Sequence, residues 1–242
     1  MEKTKDHIKK EFFTRIPKAR PGNPYFQSSF EFMWKARELA TEGKKVLNIF
    51  SSPDLSGERG HVYKDCFFNR CELIEQDFWQ DSFIYESVTQ ETRHHLPFPD
   101  NTFDVIVTTK IILEHVTEPS EVMKEFHRVL KPGGRAFITA PHIRRQHQKP
   151  HDYFRFTENA LEYLAKKSGF REWNVDAADG YFYTMASHGY FFERSLPMPK
   201  WLEKIFDFLD TYIRQPFYWW LHRHDNGYGR DFASYFLLDA KK

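Results

Sequence analysis

Short apolar runs and a helical stretch alternate in the middle of the chain. Residues 103–108 (FDVIVT) are apolar, rich in β-branched side chains and not alternating, which is typical of a parallel strand buried on both faces. A second apolar run follows over residues 135–139. Between the two runs, apolar residues recur at helical spacing at Val122, Met123, Phe126, Val129 and Leu130. Lys131-Pro-Gly-Gly134 ends the helix, so the pattern predicts a βαβ unit.

The same patterns predict further strands and helices on both sides of this unit. Before it we expect strands over Lys45–Phe50 and Glu72–Gln76, a helix around residues 62–68 and a weak element near residues 83–88. After it we expect a helix over residues 159–168, a strand over residues 172–177 and a closing strand over residues 234–238.

The two ends of the chain have a different character. Residues 1–27 are charged and then rich in proline and glycine, which predicts a short helix and an irregular arm. Ser28 and Glu31 form a capping-box pattern, so we expect a helix that begins at Ser28 and ends at Gly43. Residues 178–232 form an aromatic insertion with a helical pattern from Trp201 to Ile213, which Pro216 is expected to break.

The composition excludes several classes of protein to which the chain could belong. The 242 residues include 35 Lys or Arg and 34 Asp or Glu, and the net charge of +1 gives no bulk attraction to nucleic acid or to an anionic membrane. Cys66 and Cys71 are too few for a disulfide framework or a zinc knuckle. The sequence has neither a long apolar run nor an apolar core near the N-terminus. We therefore expect a cytoplasmic protein without a transmembrane segment.

Several spaced motifs occur in one order along the chain. LPFPDNTFDVI begins at Leu96, LEHV at Leu113 and EFHRVLKPGG at Glu125, and a strand follows. Together they resemble the central block of class I S-adenosylmethionine (SAM) dependent methyltransferases of type 11. The pattern H-x-x-P-x-D-Y-x-R-F-T from His147 to Thr157 is similar to a subgroup found among sugar, lipid and polysaccharide biosynthesis enzymes.

The resemblance covers roughly residues 45–176 and a final strand, and it implies a fold. That fold is α/β and Rossmann-like, with a seven-stranded, mostly parallel sheet, helices on both faces and an antiparallel last strand. We expect one domain over residues 1–242. Its parts are an N-terminal arm (1–27), a cofactor-binding core (28–177), the aromatic insertion (178–232) and the final strand (233–242).

The glycine-rich turn that follows the first strand in this family is degenerate here. Phe50, Ser52 and Asp54 occupy the three glycine positions. In one interpretation the loop is rebuilt, with hydroxyls from Ser51, Ser52 and Ser56 and flexible backbone at Gly57 and Gly60. In the other, the cofactor site is closed and the protein is an inactive homologue that binds a partner. The intact downstream motifs favour the first interpretation.

The resemblance also implies cofactor-binding residues. An acidic residue at the end of the second strand binds the ribose hydroxyls, and Glu75 is the better candidate, with Asp77 as the alternative. Both could instead be solvated loop carboxylates. Thr92 occupies the position of the family's acidic residue near the adenine. The remaining predicted positions are Asn48, Phe50, Ser51, Ser52, Lys110 and His115.

The segment after residue 141 carries the predicted chemistry. Methyl transfer to a hydroxyl needs a proton acceptor, and His147 is the predicted base because histidine titrates near neutral pH. Asp152 is expected to orient His147 or bind an acceptor hydroxyl, and Arg155 to bind an acidic group or pair with Asp152. Alternatively, Asp152, Tyr153 and Arg155 only hold the loop. The other predicted acceptor-binding residues are His142 and His151.

We expect no metal, because neither His142, His147 and His151 nor His222, His224 and Asp225 have a known ligand spacing. The expected activity is SAM-dependent O-methylation of a saccharide or other small molecule, with N-methylation as a weaker option. Nucleic-acid methylation is disfavoured, because TKII replaces an NPPY-like tetrapeptide after residue 108.

We expect the insertion to form a lid over the acceptor, and its helix from Lys200 mixes acidic and basic residues, which argues against membrane contact. Tyr181, Tyr183, Trp219 and Trp220 are candidates for stacking on the acceptor, with core packing as the alternative.

Overall fold

A six-stranded sheet forms the centre of the described part of the chain. The computed structural model describes residues 3–16, 22–50, 58–77, 95–108 and 112–242. The strands are β1 (Lys45–Phe50), β2 (Glu72–Asp77), β3 (Phe103–Thr108), β4 (Leu130–Pro141), β5 (Glu172–Ala177) and β6 (Tyr235–Lys241). Their order in the sheet is β2-β1-β3-β4-β6-β5.

The sheet is mixed. Strands β2, β1, β3 and β4 pair in parallel, whereas β6 runs antiparallel to both β4 and β5. The α/β Rossmann-like fold and the antiparallel closing strand are therefore confirmed. Seven strands are not confirmed, because the described residues contain six. The element predicted near residues 83–88 lies outside the described residues.

Helices cover both faces of the sheet. They are α1 (Lys5–Arg15), α2 (Pro24–Leu39), α3 (Glu58–Phe67), α4 (Pro119–Val129), α5 (Glu158–Lys167), α6 (Tyr181–Ser195), α7 (Lys200–Leu209) and α8 (Gln215–His222). Single turns of other helix types lie at Leu113–His115, Asp210–Arg214 and Tyr228–Phe232.

Strand β3 is buried on both faces, as its apolar run predicts. Ile106 packs with Phe126 of α4 in one apolar core, whereas Val107 packs with Phe12 of α1 and Phe30 of α2 in the other. Because all five of these side chains are at most 1% exposed, β3 is held rigidly between two layers of helices.

The second helix begins earlier than the sequence predicts. Pro24 is its first residue, and the Asn23 side chain accepts a hydrogen bond from the Phe26 N–H. Proline is tolerated at the first helical position, where its missing N–H has no partner to lose. Ser28 and Glu31 therefore lie inside α2, and the predicted capping box is wrong. The helix ends at Leu39, before the predicted Gly43.

Pro216 does not break the helix of the insertion. A π-helical turn over Asp210–Arg214 links α7 to α8, and Pro216 lies in the first turn of α8. The Gln215 N–H donates to the Asp210 carbonyl five residues earlier, so the wider turn accommodates the proline. Among the described residues, no helix has the length and apolar character that crossing a bilayer requires.

Candidate active site

Parallel strands bring their carboxyl ends to one edge of the sheet, where open α/β folds bind ligands. Asn48 of β1 and Glu75 of β2 are paired across the sheet near this edge. The Asn48 side-chain amide is buried and donates a hydrogen bond of 3.4 Å to Glu75 Oε1. The Glu75 side chain itself is exposed.

This arrangement fits the nucleoside part of the cofactor that the resemblance implies. A carboxylate can accept hydrogen bonds from both ribose hydroxyls, and Asn48 holds the Glu75 carboxylate at the strand end. If SAM binds, Glu75 and Asn48 are therefore the described residues placed to hold its ribose. Of the other predicted cofactor residues, Ser51, Ser52, Thr92 and Lys110 lie outside the described residues, as do the side chains of Phe50 and Asp77.

A small cavity of about 20 Å³ lies at the ends of the next two strands. Thr108 of β3 and Thr139 of β4 line it together with Tyr25 and Ser29 of α2. The Thr108 hydroxyl accepts a hydrogen bond of 3.1 Å from the Thr139 N–H, which keeps β3 and β4 in register beyond their backbone pairing. The cavity has room for about one water molecule.

A buried acidic residue follows β3. Glu114 lies in the turn Leu113–His115 between two buried apolar residues, Leu113 and Val116, and its side chain is 0% exposed. Neither of its carboxylate oxygens has a hydrogen bond to any described residue. Burial raises the pKa of Glu114 to about 8.

Two histidines face this carboxylate. Glu114 Oε1 lies 3.4 Å from His115 Nε2 and 3.5 Å from His147 Nε2. One backbone hydrogen bond joins the loop after β4 to the turn after β3, because the Tyr153 N–H donates to the Glu114 carbonyl at 2.7 Å. A second closes the loop itself, with the Phe156 N–H donating to the Pro141 carbonyl at 2.8 Å. Tertiary structure thus assembles the cluster from two loops.

Asp152 and Arg155 fix the position of His147. The Asp152 carboxylate accepts the His147 backbone N–H at 2.6 Å, and its Oδ2 lies 3.4 Å from His147 Nδ1. Burial alone would raise the pKa of Asp152, but the hydrogen bonds from Arg155 and His147 outweigh burial and lower the pKa to about 2. Burial lowers the pKa of His147, and the nearby Asp152 offsets only part of this change.

The remaining predicted acceptor residues lie around this cluster. The His151 carbonyl accepts a hydrogen bond of 2.5 Å from His115 Nδ1. The Nδ1 atom of the His151 ring lies 3.0 Å from the Tyr153 hydroxyl. His142 Nε2 lies 3.2 Å from the Asp231 carbonyl, on a separate part of the loop. The structure thus brings His115, His147, Asp152 and Arg155 together and places His142 apart from them.

Sequence reasoning missed Glu114 as a functional candidate. Its signal is an acidic residue within the apolar segment Ile-Leu-Glu-His-Val, where a carboxylate has no exposed face to occupy. His115 is predicted either at the cofactor or as a residue that orders the loop after β3. The structure places its ring between Glu114 and the His151 carbonyl, with only 1% exposed, which fits the second role.

The aromatic residues of the insertion divide into packed and exposed groups. The Tyr183 ring is stacked on Tyr25, with ring centroids 6.2 Å apart, and Trp219 is 8% exposed. Tyr181 and Trp220 are 40% and 53% exposed, so they are available for stacking on a ligand. The expected role of the insertion as a lid stays a prediction.

Part of the chain matches a known family of sequences. Residues 65–138 match the family model described as methyltransferase domain. A ubiquinone/menaquinone biosynthesis C-methyltransferase from Vibrio vulnificus is 38% identical over an alignment of 130 residues, which covers 48% of this chain and 50% of that protein. A demethylmenaquinone methyltransferase from Geobacillus is 31% identical over an alignment of 139 residues, which covers 52% of this chain and 59% of that protein. The chain spans about half the length of the curated relatives it matches.

Solved structures of similar proteins include a SAM dependent methyltransferase from Archaeoglobus fulgidus. The match has a TM-score of 0.49 and 14% sequence identity, and it covers 86% of this chain and 90% of that chain.

The family match over residues 65–138 includes Glu114 and His115 of the candidate site but ends before His147.

Proposed function

We propose that the protein is a SAM-dependent methyltransferase that acts on an acceptor bearing a hydroxyl group. The match of residues 65–138 to the methyltransferase family carries this proposal. The relatives are methyltransferases by name, which supports the enzyme class. SAM is the cofactor that the resemblance of the sequence motifs implies. Two features at the carboxyl edge of the sheet support the proposal: the exposed Glu75 carboxylate, as the proposed partner of the ribose, and the group of titratable side chains around His147.

When bound, SAM supplies a methyl group on a sulfonium, which an acceptor atom displaces in line. The protein's part is to hold the acceptor and take its proton. His147 is the proposed proton acceptor because its lowered pKa keeps the imidazole neutral near pH 7 and its side chain is 30% exposed. Asp152, ionised and held by Arg155, stabilises the imidazolium that forms.

The chemistry allows two positions for the new methyl group. A deprotonated hydroxyl accepts the methyl group itself, whereas a deprotonated phenol also activates the neighbouring ring carbons. The names of the relatives state C-methylation in quinone biosynthesis, which favours a phenolic acceptor. The saccharide acceptor stays a prediction without support among these relatives. Nothing in them favours the inactive alternative.

Isothermal titration with S-adenosylhomocysteine tests the cofactor site. We expect one site per chain and about 10–100-fold weaker binding in Glu75→Ala, because charge-assisted hydrogen bonds contribute about 1.5–3 kcal/mol. Glu72→Ala is the matched control, since Glu72 is on the same strand but pairs with Lys45 at 3.1 Å. If the wild-type protein releases no heat and gains no thermal stability with millimolar ligand, the enzyme assignment fails.

Turnover is measured as release of S-adenosylhomocysteine with a panel of phenols, quinols and saccharides. Product formation on phenols or quinols supports the proposed acceptor class. Turnover on saccharides alone would reject the phenolic acceptor class, but the protein would still be assigned as a methyltransferase.

A further inference from the structure

Among the described residues, the buried Glu114 carboxylate has no hydrogen-bond donor that would offset the cost of its burial. Its side chain is 0% exposed, and both oxygens are without a hydrogen bond among the described residues. An isolated buried carboxylate is unfavourable unless it is paired, protonated or bound to a metal ion. The carboxylate therefore indicates that a cation or a proton belongs at this position.

The neighbouring ring nitrogens have the spacing of metal ligands. Glu114 Oε1 lies 3.4 Å from His115 Nε2 and 3.5 Å from His147 Nε2, and ligand atoms of all three residues lie within 4.8 Å of one another. Two atoms bound to one tetrahedral Zn²⁺ at about 2.0–2.2 Å lie roughly 3.3–3.6 Å apart. The two contacts of Glu114 fall within that interval.

The other nitrogen of each ring is already oriented. His115 Nδ1 is 2.5 Å from the His151 carbonyl, so it carries the proton and donates. His147 Nδ1 faces Asp152 Oδ2 at 3.4 Å, and Arg155 holds that carboxylate. Histidines that bind metals commonly donate their second N–H to a backbone carbonyl or a carboxylate in this way. Both Nε2 atoms therefore point toward Glu114.

The geometry points to a divalent transition-metal site formed by Glu114, His115 and His147. Two imidazoles and one carboxylate favour Zn²⁺ or a similar ion over Ca²⁺ and Mg²⁺, which prefer oxygen ligands. The cation would also supply the positive charge that the buried carboxylate lacks. Three protein ligands leave a coordination position open, and the partly exposed His147 marks the side from which an acceptor oxygen reaches it.

The role of this ion in catalysis rests on the proposed function, whereas its binding does not. An acceptor hydroxyl at the open position loses its proton to water more readily than in solution, because the bound cation stabilises the resulting oxyanion. The oxyanion, or a ring carbon activated by it, then forms a bond to the methyl carbon as the bond from that carbon to sulfur breaks. When a ring carbon takes the methyl group, its own proton then leaves to water and the ring becomes aromatic again. With the ion bound, the cation rather than His147 promotes deprotonation of the acceptor hydroxyl.

Calorimetry on the full-length chain tests the site directly. The protein is first treated with a chelator and then titrated with Zn²⁺ or Mn²⁺ alone. We expect one site per chain and a higher melting temperature with the ion. Glu114→Gln keeps the side-chain shape and removes the charge. Loss of a group that only hydrogen-bonds to a metal ligand lowers metal affinity by about 10–100-fold, and we expect a larger loss here because Glu114 is itself a ligand.

Two further variants keep the test decisive if Glu114→Gln does not fold. His147→Ala removes a ligand from a partly exposed loop and should weaken metal binding to a similar degree. His95→Gln is the control, because His95 also pairs with a glutamate, Glu125 at 3.1 Å, but lies outside the cluster. Equal metal affinity in the wild-type protein and His147→Ala would overturn the site.

Titration with S-adenosylhomocysteine separates this inference from the proposed function. Metal binding without binding of that ligand supports the metal site and rejects the methyltransferase. Binding of that ligand with no metal affinity supports the enzyme and rejects the metal site, leaving a proton on Glu114 as the stabilising partner.

Discussion

The guanidinium of Arg155 donates to both carboxylate oxygens of Asp152, at 2.6 Å to Oδ1 and 2.8 Å to Oδ2. The same guanidinium donates to the Arg144 and Arg145 carbonyls at 3.1 and 2.9 Å. Arg155 thus ties together the loop that carries His147. Asp152 has a side chain that is 0% exposed, so this ion pair is far less screened by solvent than a surface pair.

Replacing Arg155 by lysine should weaken both stability and turnover. A lysine cannot donate to two carboxylate oxygens and two carbonyls in one plane, so we expect a loss of about 1–3 kcal/mol in unfolding free energy. Because His147 loses its fixed partner, turnover on the acceptor should fall while the affinity for S-adenosylhomocysteine is retained. Urea unfolding and the turnover assay measure the two effects.

Arg230→Lys provides the matched control for this change. Arg230 also donates two hydrogen bonds to one carboxylate, Glu158, at 3.0 and 2.8 Å, but it lies outside the cluster. We expect a stability loss with unchanged turnover. Equal losses of turnover in the two variants would show that Arg155 acts only through stability.

The His147→Ala variant tests the proposed proton acceptor. Removing a positioned base typically lowers turnover by about 10²–10⁴-fold. The side chain is 30% exposed, so the melting temperature should change little, and the affinity for S-adenosylhomocysteine should stay within about twofold. Unchanged turnover on the acceptor would reject the role of His147 as the base, whereas its role as a metal ligand is tested by metal affinity.

Strands β1 and β3 were predictable because each is a short, largely apolar run. The predicted bounds of β1, β3 and β5 agree with the structure. The sequence does not reveal the start of α2, because Pro24 ends a segment rich in proline and glycine that is typical of an irregular arm, although proline is favoured at the first helical position. Pro216 was misjudged because a π-helical turn leaves no periodic signal in the sequence.

The cluster around Glu114 was only partly predictable. Histidine at position 147 and the acid at position 152 follow a recognisable motif, so their proximity was expected. The contact between Glu114 and His147 depends on how the loops after β3 and β4 pack at the sheet edge. No local pattern encodes that distance, and for this reason the sequence suggested no metal site.

The two glycines after α4 should respond differently to substitution. Gly133 has a φ of +79° and open space around its Cα, so Gly133→Ala is expected to cost about 1–2 kcal/mol through backbone strain alone. A Cβ on Gly134 would lie 2.9 Å from the Asp104 carbonyl oxygen and 3.0 Å from that of Lys131. Because both neighbours are backbone atoms, Gly134→Ala should cost about 1–3 kcal/mol through steric overlap.

Substitution by asparagine distinguishes backbone strain from steric overlap. It tolerates positive φ better than alanine, so Gly133→Asn should recover part of the stability that Gly133→Ala loses. At position 134 asparagine should be no better than alanine, since the overlap involves Cβ. Urea unfolding midpoints of the four variants measure this, and recovery at position 134 rather than at 133 would contradict the assignment.

Asp179 should make stability depend on pH. It is 4% exposed, and its carboxylate accepts hydrogen bonds from the Ser234 N–H and hydroxyl. Burial raises the pKa of Asp179 to about 7, although the bonds from Ser234 oppose the change. In the unfolded chain the pKa of an aspartate is about 3.9. Between these values the unfolded state releases a proton that the folded state keeps, so the Asp179 contribution to the unfolding free energy falls as the pH rises from about 4 to about 7.

Asp179→Asn removes this titration and can keep both contacts to Ser234, because an amide accepts at its oxygen and donates at its nitrogen. The unfolding free energy of the variant minus that of the wild-type protein should therefore rise between about pH 4 and pH 7 and then level off. The rise is at most about 4 kcal/mol, since each unit of pKa difference corresponds to about 1.4 kcal/mol. Urea unfolding at several pH values measures it, with Asp176→Asn as the control because that side chain is 46% exposed. A difference that is flat across this range would mean that Asp179 is ionised in the folded protein.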